Sequence, residues 1–138
     1  MSDKRTRAEI IRAWLPESPL ARHLGIELVS LGDGEARLRL PYAESLTTLA
    51  DVVHGGAIAA LIDTAGTTAA WATDEVVDDI RGATVGLNVG YTAAAHGADL
   101  LATARVVRSG RSICFCDVLV TDPDDGVVAH GTLIYRFG

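Results

Sequence analysis

Apolar residues recur along this chain with two different spacings. Between residues 55 and 73, Ile58, Leu61, Ile62, Ala65 and Ala69 return at every third or fourth position, one stripe of a helix. Elsewhere the spacing is two. Val85, Leu87, Val89 and Tyr91 alternate with Thr84, Gly86, Asn88 and Gly90, the pattern of a half-buried strand. Strands are also predicted over 26–32 and 35–41, joined at Gly32-Asp33-Gly34, a hairpin turn signal. Two more, near 99–108 and 112–121, meet at Ser109-Gly110. A last one near 127–137 follows the turn Asp122-Pro123-Asp124-Asp125-Gly126. Upstream, residues 5–14 pattern as a short amphipathic helix with Ile10, Ile11 and Trp14 on its apolar side. Ser18-Pro19 reads as the cap and first position of a second short helix that ends near Gly25. Residues 42–53 are a loop into the long helix. A hairpin, one long helix and then four strands predict an α+β class, with one enclosed helix against a large antiparallel sheet.

The chain has 138 residues, 49% of them apolar, which suits one domain over 1–138 with a real core, residues 1–22 forming its N-terminal helical segment. The net charge of −6, with no long basic run, argues against a nucleic-acid partner. Met1-Ser2-Asp3-Lys4-Arg5 opens without an apolar stretch, and no apolar run reaches the ~18 residues of a membrane span. Those features predict no signal peptide, no membrane partner and a cytoplasmic location. Cys114 and Cys116 share one face of a strand, with no Cys/His cluster beside them. They read as small buried residues, so neither a metal nor a disulfide is expected. Basic residues are arginine except for Lys4.

Candidate chemistry begins with Asp63. It sits in the middle of an otherwise apolar helix, His54-Gly55-Gly56-Ala57 through to Trp71, where an acid is costly to bury unless paired or used. Helical geometry takes it off the core stripe, onto a side with Gly56, Ala59, Ala60, Gly66, Thr67 and Ala70, all small enough for a ligand or another backbone to come close. Trp71 and Tyr91 are aromatic candidates for lining a pocket.

Three motifs point to a family. His54-Gly55-Gly56 opens the helix, with an acid nine residues after the histidine. Thr84-Val85-Gly86-Leu87-Asn88-Val89-Gly90-Tyr91 has the form [S/T]-x-x-L-x-V-x-Y, and Arg108-Ser109-Gly110-Arg111-Ser112 forms a Gly-basic turn between two late strands. In this order they resemble the hotdog-fold acyl-CoA thioesterases of the phenylacetate-degradation type, over roughly residues 20–137. The resemblance implies a sheet wrapped around the central helix, pairing of subunits edge to edge, active sites at the dimer interface and frequent assembly into tetramers. It implies hydrolysis of acyl-CoA thioesters without metal or cofactor.

Residue roles follow from the same likeness. Asp63 matches the family's catalytic carboxylate, acting as general base on water or as nucleophile. Gly55 matches the residue whose backbone N–H polarises the thioester carbonyl, which suits a helix start with unpaired N–H groups and a favourable dipole. Gly56 belongs to the same turn and lets substrate approach closely. His54 supports the loop and the carbonyl. Thr67 and Thr84 match hydroxyl positions that help place the attacking water. Thr48 stands six residues before the histidine, where relatives often carry Asn or Gln, and its hydroxyl is shorter than an amide. Asn88, Arg108, Gly110, Arg111 and Ser112 are candidates for substrate and CoA contacts, arginine suiting phosphate. Two other readings stay open: an acyl-CoA or acyl-carrier binding protein without catalysis on the same fold, and a hydratase or dehydratase, whose acid pattern is not found here.

Overall fold

A computed structural model describes residues 4–78 and 80–138. The elements run β1 (Arg5–Thr6), α1 (Arg7–Trp14), a 3₁₀ turn (Leu15–Glu17), α2 (Pro19–Leu24), β2 (Glu27–Gly32), β3 (Glu35–Leu40) and a second 3₁₀ turn (Glu44–Leu46). They continue with β4 (Thr47–Leu49), β5 (Val52–Val53), α3 (Gly55–Ala70), β6 (Val76–Val77), β7 (Gly82–Tyr91), β8 (Leu100–Ser109), β9 (Ile113–Thr121) and β10 (Val127–Phe137). Six strands form one antiparallel sheet in the order β2-β3-β8-β9-β10-β7, with β2 and β7 at its edges. The α+β arrangement expected from the pattern is present, and α3 packs on β2, β3, β7, β8, β9 and β10.

The sheet curves around α3 because its ladders are irregular. Four of the five ladders within this sheet carry a register shift, and an extra residue on one strand bends it and increases its twist. The shift on β7 matters for the site. Gly86 pairs with Ile134 and Thr84 with Tyr135, so Val85 is the extra residue. Strict alternation would place Thr84 with Asn88 and Gly90, away from the helix. The bulge returns it to the helix side, which it shares with Leu87, Val89 and Tyr91.

Ile58, Leu61, Ile62, Ala65 and Ala69 are all buried against the sheet, as their spacing requires. Ala36, Leu38, Leu40, Ala102, Ala104, Val118 and Val120 meet them from the concave face. Asp33 and Gly34 have φ of 53° and 74°, the left-handed pair that a two-residue hairpin turn needs. Gly25 closes α2 at φ 78°.

The structure departs from the sequence pattern in several places. Residues 42–53 hold a 3₁₀ turn and the β4–β5 ladder, whose strands of three and two residues are too short to show alternation. α3 stops at Ala70 rather than 73, and β1 and β6 form a two-residue ladder. Gly66 and Ala70 are buried away from the Asp63 side: a Cβ on Gly66 would stand 3.0 Å from Leu133 Cδ1. Trp14 is 39% exposed while Ile10 and Ile11 are buried. Cys114 and Cys116 are free and buried, with sulfurs 3.8 Å apart. Cys116 also reaches the Gly66 carbonyl at 3.5 Å. The contact with Cys114, followed by burial, pushes the Cys116 thiol up, and the same contact lowers Cys114. No helix among the described residues is long and apolar enough to cross a membrane.

Candidate active site

The first part of the site is the start of α3. His54 is the N-cap, with φ −61° and ψ 133°, and its Nδ1 accepts from the Gly56 N–H at 2.7 Å. That bond leaves the ring proton on Nε2. Glycine is required at 56 by the close approach, since a Cβ there would stand 2.9 Å from His54 Nδ1. The N–H of Gly55, the first helical residue, has no protein acceptor among the described residues, as expected of a helix start. Tyr91 holds this turn from β7 by donating to the Gly55 carbonyl at 2.6 Å. Gly55, Tyr91 and Thr48 line a hollow of about 430 Å³, to which Ile58 and Val53 give apolar walls. The helix dipole and the open N–H make this a place for a developing oxyanion.

The second part lies further along the same helix. Asp63 is half-buried, and its Oδ1 accepts from the Thr84 hydroxyl at 2.7 Å. Thr67, one turn on, places its hydroxyl 3.4 Å from that of Thr84. The three residues thus form one connected group, which the Val85 bulge makes possible. They stand at the polar end of a hollow of about 290 Å³, with Trp71 and Tyr135 also in its lining. Burial raises the Tyr135 phenol, which keeps it protonated. Among the described residues no Lys, Arg or His lines the hollow, so Asp63 meets no counter-charge from them there. A carboxylate held by one hydroxyl beside a cavity can take a proton from water or attack a carbonyl carbon.

The two parts do not meet within one chain. Eight residues separate Gly55 from Asp63, about 12 Å of helix at the normal rise. β7 spans the same interval, with Thr84 bonded to Asp63 at one end and Tyr91 bonded to Gly55 at the other.

Other candidates stand apart. Asn88 pairs with exposed Thr132, on the sheet face away from the helix. Arg108 is the penultimate residue of β8, before the turn to β9 that holds Gly110, Arg111 and Ser112, and none of the four lines either hollow. Gly110 donates to the Ile113 carbonyl at 2.7 Å, and Ser112 accepts from the Phe137 N–H at 2.8 Å. Ile10, Trp14 and Leu20, brought to the Asp63 hollow by α1 and α2, were not identifiable as site residues from their spacing. Only their apolar patterning was visible, which marks equally well a face packed on the core.

Comparison with known proteins gives the chain a family. The family model of the Thioesterase superfamily matches residues 50–129, more than half of the chain and including Gly55, Asp63, Thr67, Thr84 and Tyr91. A Halobacterium salinarum relative that carries a provisional esterase name is 38% identical over 128 residues, 91% of this chain and 84% of that one. Human acyl-coenzyme A thioesterase 13 is 31% identical over 126 residues, 89% of this chain and 88% of its own length. The structure of the E. coli PaaI protein from the phenylacetic acid degradation operon aligns over 96% of this chain and 94% of its own, with a TM-score of 0.84. At 20% identity that is a likeness of fold, a sheet wrapped on one helix. Two parts of a site on one helix, the fold around them and the matching span lead to one conclusion: the chain belongs to the Thioesterase superfamily and has its hotdog fold.

Proposed function

We propose that the chain hydrolyses acyl-CoA thioesters at sites built from two copies of itself. The observation that carries this reading is the separation of about 12 Å between donor and carboxylate on one rigid helix. One carbonyl cannot lie within reach of both, because an oxyanion donor works at about 3 Å. A second copy removes the difficulty. β7 is an edge strand, and Val85, Leu87 and Tyr91 on it are exposed, which suits pairing with another chain. Antiparallel pairing of two β7 strands runs the Tyr91 end of each against the Thr84 end of the other. The Gly55 N–H of one copy then faces the Asp63 carboxylate of its partner. Pairs of such dimers joining further would give a homotetramer.

In this reading the thioester carbonyl oxygen accepts from the Gly55 N–H. Asp63, oriented by Thr84, takes a proton from water as the water oxygen bonds to the carbonyl carbon. The tetrahedral oxyanion collapses, the C–S bond breaks, and the CoA sulfur leaves as thiolate and is protonated. Direct attack by Asp63 would instead form an anhydride that water then opens. A single turnover in ¹⁸O-water separates direct attack by water from an anhydride opened at the Asp63 carbon: only the latter puts ¹⁸O into the Asp63 carboxylate, read by mass spectrometry of the protein, and leaves the free acid unlabelled. His54, with Nε2 carrying its proton, supports the carbonyl side, and Thr48 borders the same hollow. The coenzyme A substrate named for the human relative supports the substrate class.

The test is complementation. Asp63→Asn and Gly55→Pro each remove one half of the chemistry, and each variant alone should be nearly inactive. A mixed dimer, purified through two different tags, contains one site with both native groups and one with neither. It should recover about half of the native activity. Failure of the mixed dimer to gain activity over its parents refutes a site shared between chains.

A further inference from the structure

The Asp63 hollow has a wall that the bond-breaking chemistry does not require. Its polar end is Asp63, Thr67 and Thr84. The rest of its lining is mostly apolar, from Ile10 and Ile11 of α1, Leu20 of α2 and the ring of Trp71, with the Ser18 hydroxyl at the start of α2. Trp14, Leu20 and Ile80 stand at the mouth, 39%, 58% and 51% exposed, although all three are large and apolar. The wall is anchored at points outside the hollow. Thr6 and Glu9 close a capping box at the start of α1. The Arg7 guanidinium lies 3.7 Å from the Phe137 ring centroid and pairs with Glu75 at 2.8 Å. α1 is therefore a fixed part of the fold, and the cavity beneath it is preformed.

A thioester carbonyl at Asp63 sends its acyl chain one way and its pantetheine arm the other. Pantetheine carries two amides, and against this wall the single Ser18 hydroxyl could meet only part of their hydrogen-bonding need. An acyl chain carries none. A second carboxylate on the chain would find no cation among the described residues of the hollow and would face Asp63. A methylene fills about the space of a water molecule, roughly 30 Å³, so the 290 Å³ hollow holds about ten carbons.

Resting on the hydrolysis reading above, we propose that α1 and α2 form the acyl-selecting wall. The hollow takes an uncharged, apolar acyl group of about ten carbons, and Trp14 at its mouth sets the length. Trp14 and Leu20 are specificity residues and touch neither the reacting carbonyl nor Asp63 in this role.

Non-hydrolysable S-alkyl-CoA thioethers of four to sixteen carbons test this by titration calorimetry on the intact protein, separately from turnover. Affinity should rise about fourfold per methylene up to about ten carbons and then level off. In Trp14→Ala the rise should continue to longer chains. Leu20→Ala, at a more exposed site, should move the plateau the same way if Trp14→Ala is poorly folded. A terminal carboxylate on the alkyl chain should cost at least tenfold. Affinity independent of chain length, an unmoved plateau in both variants, or tolerance of the carboxylate would overturn the assignment. Turnover of the matching thioesters is measured in parallel. Selective binding without turnover would refute hydrolysis alone, and turnover without selective binding would refute the wall alone.

Discussion

Gly55 offers a substitution that deletes a single hydrogen-bond donor. It is the first residue of α3, the one helical position where proline fits without breaking a backbone bond. His54, at φ −61° and ψ 133°, already has the extended conformation that a residue before proline adopts. Gly55→Pro therefore removes the N–H and leaves the helix and its His54 cap in place. It also adds a Cβ, which would stand 3.1 Å from Tyr91 Cζ and require a small shift of that ring. Gly55→Ala adds the same Cβ and keeps the N–H, so the difference between the two variants reports the replacement of the N–H by the proline ring, apart from the Cβ. Loss of one oxyanion donor costs about 10²–10³ in kcat, or roughly 2.7–4 kcal/mol of transition-state stabilisation. Alanine should remain within about tenfold of the native enzyme, the crowding being relieved by side-chain adjustment. Proline should fall a further 10²–10³, with KM little changed because the donor acts mainly on the developing oxyanion. Steady-state release of CoA thiol from an acyl-CoA, followed by a chromogenic disulfide, measures both constants. Melting curves check that the variants are folded. Equal kcat values for Gly55→Pro and Gly55→Ala would refute the assigned role of the Gly55 N–H.

Asp63→Asn keeps the shape and should lower kcat by about 10²–10⁴ with no loss in melting temperature, as read from CoA release and thermal denaturation on one preparation. Thr84→Val removes the hydroxyl that orients Asp63 at 2.7 Å; kcat should drop roughly tenfold or more, since a hydrogen bond to a charged group is worth about 1.5–3 kcal/mol. In Gly131→Ala the new Cβ would lie 2.6 Å from Ile62 Cγ2, so overpacking of about 1–3 kcal/mol should lower the melting temperature by roughly 3–12 °C, less in an Ile62→Ala background. Dialysis against EDTA should leave turnover intact, because Asp63 is the one carboxylate lining its hollow among the described residues.

Local periodicity carried the fold a long way. The buried stripe of α3, the Gly32-Asp33-Gly34 turn and the late strands each depend on residues near one another in sequence. Elements without that property were not visible. The β4–β5 ladder is too short for alternation to register, and Leu46 enters the core from a stretch that reads as loop. The site divides in the same way. Asp63, Gly55 and Gly56 stand out because an acid or a glycine pair is unusual inside an apolar helix. Thr84 reaches Asp63 only through the Val85 bulge, which depends on the ladder with β10 and contradicts simple parity. Gly66 and Ala70 fail on the Asp63 side because β10 and β9 approach the helix there, a tertiary fact absent from a helical wheel. Trp14 and Leu20 depend on where α1 and α2 dock.

The strand order of the sheet also orders events in time. β7 pairs with β10, and β9 pairs with β10 on its other side, so the last of the six strands to be synthesised is the one that joins them. At roughly 5–20 residues per second, a ribosome that has completed Tyr91 needs a few seconds more to finish β10. During that interval both edges of β7 lack a partner while Val85, Leu87 and Val89 are already made. Exposed strand edges of this kind promote aggregation. A chain ending before residue 127 would keep β7 in that state permanently, so C-terminal truncations should collect as insoluble protein even though they retain every residue assigned here to the chemistry.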